Sequence, residues 1–430
     1  MINVDLREAL EFVDEGEFKS ALDHANSAFK QVVEGTGPGS DWLGWRRILA
    51  EPNDAEIDRI AQHAAKIRED ADIFIVCGIG GSFTGAKAII DALNLPFNSK
   101  GPEVLFAGHH MSGRYLEQLM KYLQEPKSDG EPKSVYLNVI SKSGSTLETA
   151  LAFRTIRKWM HEFYDDANKR IIATTGETGG VLNKIIEEEG YSKYIIPEDI
   201  GGRYSVLTPV GLLPVSVAGV DIQTLYYGAV SEYEHLEKDP ETVLEYSAFR
   251  YLMHKEGVAL DVIGSFEPEL MGFADWTQQL LGESEGKEGK GLFPAVAGYS
   301  TDLHSIGQMI QQGQRNMMET LFVVDSPLSQ FKVPKVESDT DQLCYLDNKL
   351  FHEINKSAQE GTVQAHHEGG VPVVKILIEK LNAQQLGQLI YFYELVTAVY
   401  VYMLSVNPFN QPGVENYKQA MYRLLGKNDN

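Results

Sequence analysis

Cysteine is almost missing from this chain: Cys77 and Cys344 are the only two in 430 residues. Two thiols cannot staple a chain of this length, and Cys77 closes the apolar run 73–77, which reads as a buried strand. A disulfide scaffold is excluded and a reducing, cytoplasmic compartment is expected. Positive charge is scarce as well. The 38 Lys and Arg against 61 Asp and Glu leave a formal charge of -23, which repels polyanions and argues against nucleic acid or an anionic membrane surface as a partner. A phosphorylated small molecule would need a local positive site. The N-terminus, Met1-Ile2-Asn3-Val4-Asp5, has no basic leader and no apolar export segment, so secretion is not expected. Only one apolar stretch, 389–406, approaches membrane-spanning length. Glu394 interrupts it, Gln388 and Asn407 flank it without basic anchors, and it reads as a buried core helix. Short-period repeats, heptads and low-complexity tracts are also missing, which excludes solenoids and coiled coils.

What is present is a globular composition, 43% hydrophobic, long enough for roughly two or three domains. Residues 1–69 read as a helical extension, broken at Gly37-Pro38-Gly39-Ser40 and resumed behind Asn53 or Asp54. From residue 70 to 200, short β-rich runs (73–77, 104–106, 135–140, 171–173, 194–196) alternate with helix-length segments. This is the pattern of a parallel sheet with helices on both faces. Residues 201–405 begin with helices and then alternate again around 260–263, 320–324 and 373–378, predicting a second α/β unit. Residues 406–430 form an irregular loop and a last helix.

Two loops in the first unit carry the clearest chemistry. Gly78-Ile79-Gly80-Gly81-Ser82 follows a predicted strand and precedes a helix from Phe83, so its backbone N–H groups can meet an anionic oxygen. A dinucleotide fingerprint would need glycine where Phe83 stands, and a P-loop would need a Gly-Lys-Ser/Thr ending, so neither NAD nor ATP is supported. Ser141-Lys142-Ser143-Gly144-Ser145-Thr146 sits between the strand 135–140 and a helix from Leu147. There hydroxyls, backbone donors and a helix N-terminus converge, as a phosphate monoester requires. Ser145-x-x-Glu148 also fits a capping box, an alternative use of the same residues. Two such loops at strand ends of one sheet place a site at its carboxyl edge.

The second unit adds isolated candidates. Arg203, in Gly201-Gly202-Arg203-Tyr204-Ser205 ahead of a helix from Val206, is a fixed cation able to stabilise an anion. Glu283 lies in Gly282-Glu283-Ser284-Glu285-Gly286-Lys287, read as a loop following a helix over 273–281 that carries Gln279. His304, Gln411, Glu415 and Lys418 are unremarkable singly. His109-His110 and His366-His367-Glu368 lack any recognised metal-ligand spacing, so no metal is expected.

Taken in chain order, 78–82, 141–149, 201–205, 282–287, His304 and 411–418 resemble the glucose-6-phosphate isomerase (phosphoglucose isomerase) family, compact bacterial type, from about residue 70 to the C-terminus. The resemblance implies two sugar-isomerase (SIS) domains, each an αβα sandwich around a parallel sheet, plus the N-terminal helical extension and C-terminal helices. It implies a homodimer with shared active sites, and reversible aldose-ketose isomerisation of glucose 6-phosphate to fructose 6-phosphate through a cis-enediolate, in glycolysis and gluconeogenesis, without a cofactor. By that resemblance Ser141, Ser143 and Thr146, with the backbone of Lys142, hold the phosphate, and Gly81 and Ser82 meet the sugar. Glu283 is the base, Arg203 faces the enediolate, and Gln279 and Gln411 hold hydroxyls. His304, from the partner subunit, and Lys418 open the ring. Departures from the family pattern are the serine-rich phosphate loop, Pro412, and Glu285, a second carboxylate two positions from Glu283 whose charge is expected to raise the apparent pKa of Glu283. A non-catalytic sugar-phosphate sensor would share the two loops but would not need Glu283, Arg203, His304 and Lys418 together. Glutamine-dependent hexosamine-phosphate synthesis would need an N-terminal cysteine where Ile2 stands.

Overall fold

A computed structural model describes residues 1–94, 97 and 101–427. Five strands, β2 (Ile73–Cys77), β3 (Glu103–Ala107), β4 (Val135–Ile140), β5 (Ile171–Gly176) and β6 (Ser192–Ile196), form a wholly parallel sheet in the order β3-β2-β4-β5-β6. Strands β2 and β5 are buried along their whole length, as expected where helices cover both faces. The chain leaves β2 to one side for β3 and returns to the other for β4. The carboxyl ends of β2 and β4 therefore flank a crevice at the point where strand order reverses, the place where open α/β sheets bind ligands.

The second sheet is β1-β10-β9-β7-β8, from β1 (Asn3–Asp5), β7 (Leu260–Ser265), β8 (Phe293–Gly298), β9 (Met317–Val324) and β10 (Val373–Ile378). It is parallel except for β1, which pairs antiparallel with β10. Two of these strands differ from the sequence reading. Residues 1–69 are not purely helical, because three N-terminal residues cap the edge of the second sheet. Strand β8 was hidden by Pro294 and Gly298, which its place at the opposite edge tolerates.

The helix Thr84–Leu93, which leaves the glycine loop, packs against the helix Met271–Glu285 of the second unit. Glycines allow this approach: a Cβ on Gly272 would lie 3.2 Å from the Ala88 Cα, and one on Gly81 only 1.9 Å from the Gly202 carbonyl oxygen. The helix Ala383–Met403 is long and apolar enough to cross a membrane by length and composition, yet its apolar window is wholly buried in the fold. Glu394 on it is buried too, and burial pushes its carboxyl well above the usual carboxylate range.

Candidate active site

A cavity of about 750 Å³ opens between the two units, lined by 79–82 after β2, by 140–143 and 145–149 at the end of β4 and beyond it, by Gly202, Arg203, Gln279 and Glu283, and by residues of the C-terminal segment between Gln411 and Lys427. Every sequence-predicted site residue lines it except His304. The cavity wall carries Arg203, Lys418 and Lys427 beside the carboxylates Glu148, Glu283 and Glu415. The site is thus locally close to charge balance in a chain whose overall charge is -23.

The loop after β4 is shaped for an anion. Gly144 turns with φ 69°, a left-handed conformation that suits glycine, and its N–H donates to Ser141 Oγ at 3.1 Å. Ser143 and Ser145 share a hydrogen bond of 2.9 Å. The helix begins at Leu147 with Thr146 at the N-cap, and the Thr146 hydroxyl makes no capping bond. The Ser145–Glu148 capping box is therefore not formed, and Thr146 and the first helical turn line the cavity without that cap. Lys142 contributes only its main chain. Its ammonium is drawn away to the carbonyls of Glu198 (2.7 Å) and Ile200 (3.1 Å), stands 4.6 Å from the Trp42 ring centre, and has its pKa lowered by burial.

Glu283 stands on a helix, not in a loop. The helix predicted to stop at Leu281 continues to Glu285, carried past Gly282 by tertiary contacts. Arg203 Nε donates to Ser284 Oγ at 2.8 Å. Glu285 is fully buried between Arg250 Nη2 at 3.0 Å and the Leu292 N–H at 2.9 Å. Residues two apart on a helix face different ways, so Glu285 turns from the cavity and its charge does not lie beside Glu283. Arg250 also pairs with Asp261, and all three groups are buried. The helix turn that carries the candidate base is anchored from behind.

In front, side chains form one chain of hydrogen bonds. Thr84 Oγ1 donates to Gln279 Oε1 at 2.6 Å, and Gln279 Nε2 donates to Glu283 Oε1 at 2.9 Å. Arg203 Nη1 donates to Glu283 Oε2 at 3.2 Å and to Gln411 Oε1 at 2.7 Å. The carboxylate is held between a neutral donor and a cation while its side chain stays 31% exposed to the cavity, against 1% for Arg203. Sequence reasoning missed Thr84, which only stands next to the glycine loop, and gave no role to Ser284, which stands inside the 282–287 motif.

Arg203 does more than face the cavity. Its Nη2 donates to the carbonyls of Pro408 and Asn410, Lys287 donates to that of Asn407, and Lys290 to that of Leu404. Three cations thus hold the C-terminal segment over the site. Burial, and next the neighbouring Arg203 charge, push the Lys287 ammonium down to about 7, against the opposing pull of Glu283. The helix expected from Val206 starts later, at Pro209, because a 3-10 turn over Gly202–Tyr204 intervenes and Thr208 caps the helix. Lys418 sits on the cavity wall, its ammonium 2.8 Å from Glu415 and its pKa raised by that bond.

His304 ends a 3-10 turn after β8, exposed on the surface and outside the cavity lining of its own chain. The remaining histidine pairs have structural partners. His109 stacks on Phe83 at 4.6 Å, His366 bonds Glu319 at 2.6 Å and His367 meets Glu11 at 3.2 Å. Among the described residues no three His, Cys, Asp or Glu side chains converge as metal ligands.

The profile of the family described as phosphoglucose isomerase matches residues 63–326 and 335–429. A glucose-6-phosphate isomerase of Staphylococcus aureus (strain Newman) is 42% identical over 433 aligned positions, covering 99% of this chain and 96% of that protein. A hypothetical protein of Thermus thermophilus superposes with a TM-score of 0.87 at 26% identity, over 99% of this chain and 100% of that one. A glucose-6-phosphate isomerase of Chlamydia trachomatis shares the fold, with a TM-score of 0.80 over 96% of this chain and 86% of that one, at 16% identity.

Proposed function

The chain belongs to the phosphoglucose isomerase family, and on that premise we propose how its own residues interconvert glucose 6-phosphate and fructose 6-phosphate. Ser141, Ser143, Thr146 and the main chain of Lys142 bind the phosphate, and Gly81 and Ser82 lie against the sugar. The observation that carries the reading is the Glu283 carboxylate, held between Gln279 and Arg203 in the cavity that the phosphate loop lines.

Hexose 6-phosphates are mostly closed rings, so a proton must reach the ring oxygen and another must leave the anomeric hydroxyl. Lys418 on the cavity wall and His304 are assigned to this step. Histidine suits it because its ordinary pKa lies near neutrality. His304 is exposed and away from its own chain's cavity, which fits delivery into the site of a second copy in a homodimer. In the open chain, Glu283 takes the C2 proton of the aldose. The electrons pass into an enediolate, a proton moves between O1 and O2, and Glu283 returns its proton to C1 to leave the ketose. Because one carboxylate on one face serves both carbons, no second base is required. Arg203, permanently charged and buried, stabilises the enediolate oxygens, and one lost donor of this kind typically costs about 3 kcal/mol of barrier. Gln279 and Gln411 flank the base and the arginine and orient the sugar hydroxyls.

The test is fructose 6-phosphate formation from glucose 6-phosphate in EDTA, by wild type and by Glu283→Gln. Turnover in chelator that falls about 10²–10⁴-fold in the folded variant supports Glu283 as the base of a metal-independent reaction. A wild type that binds the sugar phosphate without turning it over would instead leave a sensor.

A further inference from the structure

Behind the phosphate loop lies a second cavity, of about 450 Å³. It runs between the helix Leu147–Phe163 and the helix Gly180–Glu189, on a side of the loop that no step above uses. Its floor is apolar, formed by Val139, Phe153, Leu182 and Ile185. Its rim carries Arg154, Arg157, Lys158 and His161 against one carboxylate, Glu189; the four lie at positions i, i+3, i+4 and i+7 of one helix and hence on one face. In a chain of charge -23, such a face stands apart.

The charge on this face is only partly spent. Arg157 is committed to Glu189 and, through Nε at 2.9 Å, to the Tyr191 hydroxyl, which His161 Nε2 also meets at 2.9 Å. Lys158 makes only an exposed contact of 3.6 Å with Glu162. Arg154, itself exposed, has no ion-pair or hydrogen-bond partner among the described residues. An apolar floor beneath an unpaired arginine and a loosely paired lysine suits a small amphiphilic anion, a ring or short apolar body bearing a phosphate or comparable dianion.

Occupancy here would reach the substrate site through packing. Ser141 and Gly144 both line this cavity, and Ser141 lines the substrate cavity as well. A Cβ on Gly144 would stand 2.7 Å from the Leu182 nitrogen, and one on Gly180 would stand 2.8 Å from the Ser143 carbonyl oxygen. The phosphate loop therefore rests directly on the first turn of the helix that forms the far wall. Thr175 Oγ1 supports the same loop by donating to the Ser141 carbonyl at 2.8 Å. A ligand that moves the two helices relative to each other moves the loop.

We propose that the cavity between the helices Leu147–Phe163 and Gly180–Glu189 is an effector site for a small amphiphilic anion, whose occupancy alters substrate affinity through Ser141 and Gly144. The coupling rests on Ser141–Thr146 being the substrate's phosphate loop; the binding does not. Phenyl phosphate is the probe, titrated calorimetrically into enzyme already saturated with the equilibrium mixture of glucose 6-phosphate and fructose 6-phosphate, so that the substrate site is filled. The expected result is one molecule bound per chain, at about 1 mM or tighter. Arg154→Glu combined with Lys158→Glu should weaken it at least about tenfold while leaving turnover without phenyl phosphate unchanged. In steady-state assays phenyl phosphate should also shift the KM for glucose 6-phosphate in wild type but not in the double variant, beyond any competition common to both. No heat with the saturated enzyme, or binding indifferent to the two charge reversals, overturns the site. Binding that leaves KM unmoved overturns its effector role, and neither outcome touches the assignment of Glu283.

Discussion

Arg203 and Glu283 meet at 3.2 Å, and the same Nη1 that touches the carboxylate also donates to Gln411 at 2.7 Å. One buried guanidinium therefore joins the candidate base to the C-terminal segment across the cavity. An Arg203→Lys protein keeps the charge and loses the planar fork that makes five contacts. Its kcat should fall about 10²–10³-fold, and its Tm should drop because the Pro408 and Asn410 carbonyls lose their donor. Steady-state kinetics and thermal unfolding measure both; a variant with near-normal kcat would mean that Arg203 is an anchor alone.

The proposed sharing of sites between two copies of the chain makes a quantitative expectation. Glu283→Gln and His304→Ala proteins, each nearly inactive, are mixed at equal amounts, unfolded and refolded together. If His304 enters the partner's site, half the dimers are mixed and each mixed dimer has one intact site, giving about a quarter of wild-type activity. If His304 serves its own chain, every site carries a lesion and no activity returns.

Gly81 lies at a close approach of the two units, against Gly202. A Gly81→Ala methyl would be 1.9 Å from the Gly202 carbonyl oxygen, so one of the two segments must move. A stability loss of about 1–3 kcal/mol is expected, with a fall in kcat larger than that of Ser82→Ala, which adds no atom at the contact. Equal kinetics for the two variants would show that this approach is not needed for the site.

Lys287 ties pH to stability. Its folded pKa of about 7 lies below the ordinary lysine value of about 10.4, so between them the unfolded chain binds the extra proton and wild-type stability rises with pH. The penalty for the buried charge is fully present below pH of about 7 and relieved above it. Comparing Tm of wild type with Lys287→Met from about pH 6 to about pH 10, the wild type should gain on the variant as pH rises. A constant difference would show that the ammonium is not desolvated.

Much of this was readable in the chain. Strands β2, β4 and β10 were predicted at their observed limits because β-branched and aliphatic residues run together there and end at glycine, serine or polar residues. Strand β8 was not, since Pro294 and Gly298 read as breakers and only an edge position excuses them. Gly282 was read as a helix end for the same local reason. It is overridden by Arg203 and Arg250, which come from elsewhere in the chain and bond Ser284 and Glu285. The Ser145–Glu148 motif satisfied a capping rule that the folded loop does not use.

The order of elements, the two glycine- and serine-rich strand ends and the identities of the chemical groups follow from the sequence itself, because periodicity, turn chemistry and charge are local properties. Which of those groups meet is a different matter. Gln279 and Glu283 were neighbours by helical spacing, but the groups that bond across the site, Thr84 with Gln279 and Arg203 with Gln411, come from up to 208 residues apart. Glu285, as acidic as Glu283, became a buried anchor. Only packing of the two units decided which carboxylate faces the cavity, since the direction of a side chain depends on what the far side of its helix must bury.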